Sequence, residues 1–89
     1  MGEELPPLPK PDRHGRVPAL AYARASLARD LIRARKSVGL SQQQLADLAG
    51  IRQETVSRLE TGKHTGNART VDKIMRAIQA RRRKKPKVR

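Results

Sequence analysis

Apolar residues recur at helical spacing in several segments of the chain. In the first of these segments they are spaced by four, three and four residues, at Leu27, Leu31, Ala34 and Val38. Pro18 suits the start of a helix, because its φ is already helical and its missing N–H would have had no partner there. The spacing therefore predicts a helix over Ala19–Lys36, which Gly39 ends.

Two shorter helices are predicted next. Ser41 and Gln44 form an S-x-x-Q capping box, in which side chains satisfy free backbone N–H groups at a helix start. This helix ends at Gly50, and we expect four of its residues to face inward: Leu45, Ala46, Leu48 and Ala49. The following helix runs from about Arg52 to Glu60, with Val56 and Leu59 inward.

A fourth helix is predicted to start near Asn67, which is a good N-cap residue. Its apolar residues repeat at helical spacing and are expected to be buried, at Val71, Ile74, Met75 and Ile78. Strand signals are absent from the sequence. The pattern therefore predicts an all-α fold of four to five helices.

Composition divides the chain into three parts. Residues 1–18 contain five of the six prolines and little apolar material, so we expect an extended or disordered arm. Residues 81–89 contain seven basic residues and no acid, so we expect a disordered tail. Residues 19–80 remain as one helical domain.

The two short helices meet at Gly50, and this corner is the most informative part of the sequence. Glycine can take a positive φ without a Cβ clash, which allows a sharp turn between helices. Ala46 is small enough for the helices to cross closely, and Ile51 can fill the corner between them. These features predict a helix-turn-helix, in which the later helix enters a DNA major groove.

The net charge points to the same kind of partner. The chain carries 21 Lys and Arg against 8 Asp and Glu, a formal charge of +13, and a polyanion would screen the repulsion within so small a body. A membrane surface is the rival partner, but it needs large apolar anchors and only 1% of residues are aromatic. The sequence also contains no cysteine and no signal peptide, so we expect a cytoplasmic, nucleoid-associated protein.

The sequence resembles the Cro/C1-type (XRE) helix-turn-helix family of bacterial and phage repressors. The match spans about residues 27–78. The residues that carry it are Gly39–Gln42 at the start of the second predicted helix, Leu45-Ala46, Gly50, Val56–Glu60 and Gly62-Lys63. A looser similarity, in Ala23–Arg29 and Gly62–His64, is to antitoxin-type members. The resemblance implies a repressor-like helical bundle that binds double-stranded DNA as a homodimer. The sequence has no evident counterpart of the family's usual fifth helix, because basic residues take over from Arg81 onward.

The resemblance also implies which residues contact DNA. The residues expected to read base edges are Arg52, Gln53, Glu54, Ser57 and Arg58. Their spacing agrees independently, because Gln53, Ser57 and their neighbours share a face opposite Val56 and Leu59. The residues expected to contact the DNA backbone are Gln42, Lys63, Asn67 and Arg69. Arg35 and Glu60 occupy positions that form a structural, semi-buried ion pair in the family.

Three functions are compatible with this sequence. The first is a sequence-specific transcriptional regulator, and a repressor in particular. The second is an antitoxin, whose proline-rich arm would wrap a toxin protein while the helix-turn-helix regulates its own operon. The third is an adaptor that binds other proteins. We expect no enzyme, cofactor or metal site, because His14 and His64 have no partners at metal-ligand spacing and no catalytic constellation is present.

Overall fold

The computed structural model describes residues 5–64 and 66–84 and contains four α-helices in that part of the chain. They are α1 (Ala19–Ser37), α2 (Gln42–Ala49), α3 (Gln53–Glu60) and α4 (Ala68–Lys84). No strand is present among the described residues, so the all-α prediction is confirmed. None of these helices is both long enough and apolar enough to cross a bilayer.

The starts and ends of α1 and α2 follow from the predicted local signals. Pro18 precedes α1 with a φ of −60°, and Gly39 ends the helical region with a φ of 72°. The capping box at α2 is present in full. The backbone N–H of Gln44 donates to Oγ of Ser41 at 3.1 Å, and the backbone N–H of Ser41 donates to Oε1 of Gln44 at 2.8 Å.

A single apolar core lies between the four helices. Its largest fully buried side chains come from all of them, and they are Leu31, Leu45, Val56, Leu59, Ile74 and Ile78. Burying these aliphatic side chains stabilises the fold by about 1.5–3 kcal/mol each before entropic costs. Leu31, Val56 and Leu59 are buried as their spacing predicts, and Val38 is buried just beyond the end of α1. Leu27 and Ala34 are half-buried against the same core.

Two predicted core residues are exposed instead. Leu48 is 55% exposed and Met75 is 38% exposed, so the prediction that they face inward was wrong. Ile74, Ala77 and Ile78 form the buried stripe of α4, and Met75 lies about 100° around the helix from Ile74. In α2 and α4 the buried stripe is therefore narrower than the run of apolar residues.

The chain termini also depart from the prediction. Helix α4 continues to Lys84, and Nη2 of Arg82 donates to Oγ of Ser37 at 3.3 Å, so residues 81–84 are helical rather than disordered. The rest of the predicted tail, 85–89, lies outside the described residues, as do residues 1–4 of the arm.

The described part of the N-terminal arm, residues 5–18, contains no helix or strand, and its beginning is docked on the domain. Nη1 of Arg29 donates to the carbonyl oxygen of Pro6 at 3.2 Å. Pro6 also lies against Gly62, just beyond α3. Further along, the carboxylate of Asp12 accepts from the backbone N–H groups of His14 and Arg16 and forms a local turn.

Candidate nucleic-acid interface

The turn between α2 and α3 is built on Gly50, which has φ 71° and ψ 34°. Its left-handed backbone lets the N–H of Ile51 donate to the carbonyl of Ala46 at 3.0 Å, which closes the end of α2. A Cβ at Gly50 would meet no atom within 4 Å. Backbone conformation, and not a lack of space, is therefore the reason for glycine here.

Close packing behind the turn holds α2 and α3 together. Ala46 and Val56 have no exposed surface, and Ile51 is half-buried against the same core. The small side chain of Ala46 permits the close approach that the sequence predicted. Helix α3 therefore packs against the core through Val56 and Leu59, and its opposite side faces outward.

The residues predicted to read bases lie on the outward side of α3 and at its start. Arg52, Glu54 and Arg58 are exposed, whereas Gln53 and Ser57 are half-buried. Arg52 is the N-cap residue and makes no capping hydrogen bond with its side chain. A guanidinium only donates hydrogen bonds, so it cannot satisfy the free N–H groups at the start of α3.

The ion pair expected from the resemblance is present behind this surface. Nε of Arg35 donates to Oε2 of Glu60 at 2.8 Å, and Nη2 donates to Oε1 at 3.0 Å. Arg35 and Glu60 are only 4% and 6% exposed. Nη1 of Arg35 also donates to the carbonyl of Leu40 at 2.9 Å, so α1, the loop before α2 and the end of α3 are joined.

Gln42 lies differently from the sequence-based expectation of a simple phosphate contact. Its Nε2 donates to Oε1 of Glu60 at 2.9 Å, and its Oε1 accepts from Nε2 of Gln53 at 2.8 Å. Both ends of the Gln42 amide are therefore engaged within the protein. Sequence reasoning missed this link, although Gln42 and Gln53 are each the first residue of a helix in the motif.

The predicted backbone-contacting residues beyond α3 are exposed. Lys63 and Arg69 extend from either side of the loop that joins α3 to α4. Oδ1 of Asn67 accepts from the backbone N–H of Thr70 at 2.7 Å, which confirms Asn67 as the N-cap of α4. Its amide nitrogen is left for other partners.

The charge of this surface is mostly positive. We define the α3 surface as the exposed charged residues on α3, its flanking loops and the first turn of α4, namely Arg52, Glu54, Arg58, Lys63 and Arg69. Four of these five side chains are basic, which suits contact with an anionic polymer. No cluster of three or more His, Asp or Glu that could hold a metal occurs in the described part of the chain.

Comparison with known proteins agrees with this geometry. A helix-turn-helix family model matches residues 31–83, which is more than half of the chain. The match covers the end of α1 from residue 31, all of α2 and α3, and α4 as far as residue 83. An "Uncharacterized HTH-type transcriptional regulator" of Haemophilus influenzae is 35% identical over 52 residues, which are 58% of this chain and 53% of that protein. The chain thus spans about half the length of this curated relative. No solved structure matches significantly. On the family match and the geometry of its turn, the chain belongs to the Cro/C1-type helix-turn-helix family.

Proposed function

We propose that this protein is a sequence-specific transcriptional regulator, in particular a repressor, that reads the major groove of double-stranded DNA with α3. The observation that carries the proposal is the short helix held by buried Val56 and Leu59, which leaves Arg52, Glu54 and Arg58 exposed. A helix presented in this way fits the width of a major groove.

The side chains on the outward side of α3 have the chemistry for direct readout. Arg58 can donate two hydrogen bonds to guanine, Gln53 can pair with adenine, and Glu54 can accept from cytosine. Each well-formed bidentate pair discriminates against a wrong base by about 1–3 kcal/mol. Arg52, before Gln53, and Ser57, before Arg58, would add contacts beside these side chains.

The surrounding residues would set the position of α3 on the duplex. Lys63, Asn67 and Arg69 can contact phosphates, which fixes register without reading sequence. The amide nitrogen of Gln42 has a second hydrogen beyond the one given to Glu60, and this hydrogen can also reach a phosphate. We include a homodimer in the proposal, since two copies would place their α3 helices about 34 Å apart on successive groove faces.

The test is selection of bound duplexes from a random pool at about 150 mM salt, where non-specific attraction is partly screened. We expect a palindromic consensus. Arg58→Ala should relax the preference at one base pair of each half-site, whereas Lys63→Ala should weaken binding to all duplexes alike. Arg76→Ala is the matched control, because Arg76 is exposed on α4 and pairs there with Asp72 at 2.9 Å.

Two results would contradict this proposal. If the wild-type protein enriched no sequence, specific binding would be ruled out. If Arg58→Ala and Lys63→Ala lowered the affinity for every duplex equally, the assignment of α3 as the reading helix would be wrong.

The antitoxin hypothesis stays a prediction, because neither the helix-turn-helix family description nor the name of the Haemophilus influenzae relative refers to a toxin. Co-purification of a small toxin with the tagged protein would support it. A regulator with the function proposed here would reside in the cytoplasm, associated with the nucleoid.

A further inference from the structure

Two arginines at the end of α4 lie beside the end of α1 and the start of α2. Nη2 of Arg82 donates to Oγ of Ser37, the last residue of α1, at 3.3 Å. Arg81 lines a cleft between α4 and α2 together with Gln44 and Leu48. Both arginines are exposed, and we call them the α4 arginine pair.

The guanidinium of Arg82 is held in place by one hydrogen bond. Oγ of Ser37 gives its own hydrogen to the carbonyl oxygen of Ala34 at 2.7 Å, so it can only accept from Arg82. A guanidinium carries several N–H donors in a rigid fork, and Ser37 accepts from only one of its nitrogens. Arg82 is therefore positioned at the end of α1 with N–H groups that can donate to a ligand.

The positive charge of this pair is not neutralised by the part of the chain that the structure describes. Neither arginine forms an ion pair with a described residue. Asp47 lines the same cleft as Arg81, but its Oδ1 accepts from Nε2 of Gln43 at 2.9 Å instead. Two neighbouring, exposed cations without a counter-ion favour the binding of an anionic ligand.

This pair flanks the part of the motif that is proposed to touch DNA. Ser37 ends α1 and Gln44 lies in the first turn of α2, so the pair lies beside the segment that leads to Gln42. Gln42 is one of the residues proposed to contact phosphate. The start of α2 and the end of α4 therefore lie along one edge of the domain.

The distance from α3 decides which phosphates the pair can reach. Helix α2 contacts both α3 and α4, and packed helices lie about 8–10 Å apart. The pair is thus about one to two helix widths from α3. A major groove is about 12 Å wide, so its walls lie roughly 6 Å from a helix at its centre. When α3 occupies the groove, the pair lies outside the wall that α2 crosses.

We propose that the α4 arginine pair is a second DNA-backbone site, which binds phosphates of the duplex outside the groove segment that α3 reads. The inference rests on the proposed function, which places the duplex against the start of α2. Arginine suits this ligand, because its planar fork can donate two hydrogen bonds to one phosphate. The site adds affinity without sequence preference, because phosphates are the same in every sequence.

A basic helix end has a simpler explanation, in which cations stabilise the negative end of the helix dipole. Arg83 belongs to the same turn and would serve that purpose equally. It lies on another side of α4, where it lines a surface groove with Arg76 and Gln79. The two explanations therefore predict different results for arginines that are adjacent in the sequence.

The test compares two double variants that remove the same number of cations from α4. Arg81→Gln/Arg82→Gln removes the proposed site, and Arg76→Gln/Arg83→Gln is the matched control. Fluorescence anisotropy measures the affinity for a duplex that extends one helical turn, about 10 base pairs, beyond the selected consensus on each side. Each phosphate contact contributes about 0.9 to the slope of log affinity against log salt. We expect this slope to fall by about 1–2 in the first variant and to stay unchanged in the control.

Duplex length and charge give two further readouts. Shortening the duplex to the consensus alone removes the flanking phosphates, so it should reduce the slope of the wild-type protein more than that of Arg81→Gln/Arg82→Gln. Arg81→Lys/Arg82→Lys keeps both charges and should keep the wild-type slope. The preference for the consensus over a mismatched duplex should be the same in all of these proteins.

The outcomes separate this inference from the proposed function. An unchanged slope in Arg81→Gln/Arg82→Gln, or an equal decrease in the control, would overturn the inference and leave the regulator intact. Equal losses of stability in urea unfolding, with no change of slope, would assign these arginines to the helix end instead. If the wild-type protein enriched no sequence, the proposed function would fail. The same comparison of slopes on a duplex of arbitrary sequence would then decide the site by itself.

Discussion

At the scale of single residues, the shape of the motif depends on Gly50. We predict that Gly50→Ala lowers the free energy of unfolding by about 1–2 kcal/mol, the cost of a left-handed backbone at an L-residue. The alanine methyl would meet no neighbour, so this cost is conformational. Urea unfolding measures it.

Gly50→Asn provides the comparison for this prediction. Asparagine adopts the left-handed region more readily than alanine, so it should be destabilising by a smaller amount. Equal losses for the two variants would mean that strain in the backbone is not what glycine avoids at this turn.

Sequence alone was sufficient to place some of the residues that we propose to contact DNA, but not others. The outward placement of Glu54 and Arg58 follows from their spacing relative to Val56 and Leu59, which is a local property of one helix. The contacts of Gln42 are not local, because its partners lie 11 and 18 residues away. Helical periodicity gives the direction of a side chain but not the identity of a distant partner.

At the scale of elements, α2 and α3 begin in different ways. Ser41 caps α2 with its side chain, whereas Arg52 at the start of α3 makes no such bond. We predict that Arg52→Ser raises the free energy of unfolding by roughly 0.5–1 kcal/mol, because serine can accept from a free N–H of the first turn. The same change should weaken DNA binding by removing a cation from the α3 surface.

Two measurements test the prediction that Arg52→Ser raises the free energy of unfolding but weakens DNA binding. Urea unfolding gives the stability, and fluorescence anisotropy with a labelled duplex gives the affinity. Ser41→Ala calibrates the scale, since loss of an existing cap should cost about 0.5–2 kcal/mol. If Arg52→Ser changed neither quantity, the absence of a cap at α3 would have no functional meaning.

Helix bounds were predictable because their signals are local. The predicted Ala19–Lys36 became Ala19–Ser37, and the capping box formed as expected. The exposure of Leu48 and Met75 was not predictable, because burial depends on which side of each helix another helix covers. The extension of α4 to Lys84 was not predictable from the basic run, because the contact of Arg82 with Ser37 joins residues that are 45 positions apart in the chain.

At the scale of the whole molecule, the N-terminal arm is joined to the end of α3. A Cβ at Gly62 would lie 3.2 Å from Cβ of Pro6 and 3.6 Å from Cα of Ala25. Proline-rich composition predicted an extended arm, and it gave no information about where the arm would dock. The arm and α1 together leave little room for a side chain at Gly62, directly before Lys63 of the α3 surface.

This crowding gives a prediction that tests whether the arm is docked in solution. Gly62→Ala and Gly39→Ala each place an alanine in a left-handed backbone, with φ of 80° and 72°, but a Cβ at Gly39 meets nothing within 4 Å. We expect Gly62→Ala to be more destabilising by about 1 kcal/mol, the lower end of the cost of overpacking. Pro6→Gly removes the Cβ that the new methyl would meet, so the excess should shrink in Pro6→Gly/Gly62→Ala. A double-mutant cycle measured by urea unfolding isolates this coupling. Additive effects of the two substitutions would show that Pro6 does not contact Gly62 in solution, and the docked position of the arm would then be wrong.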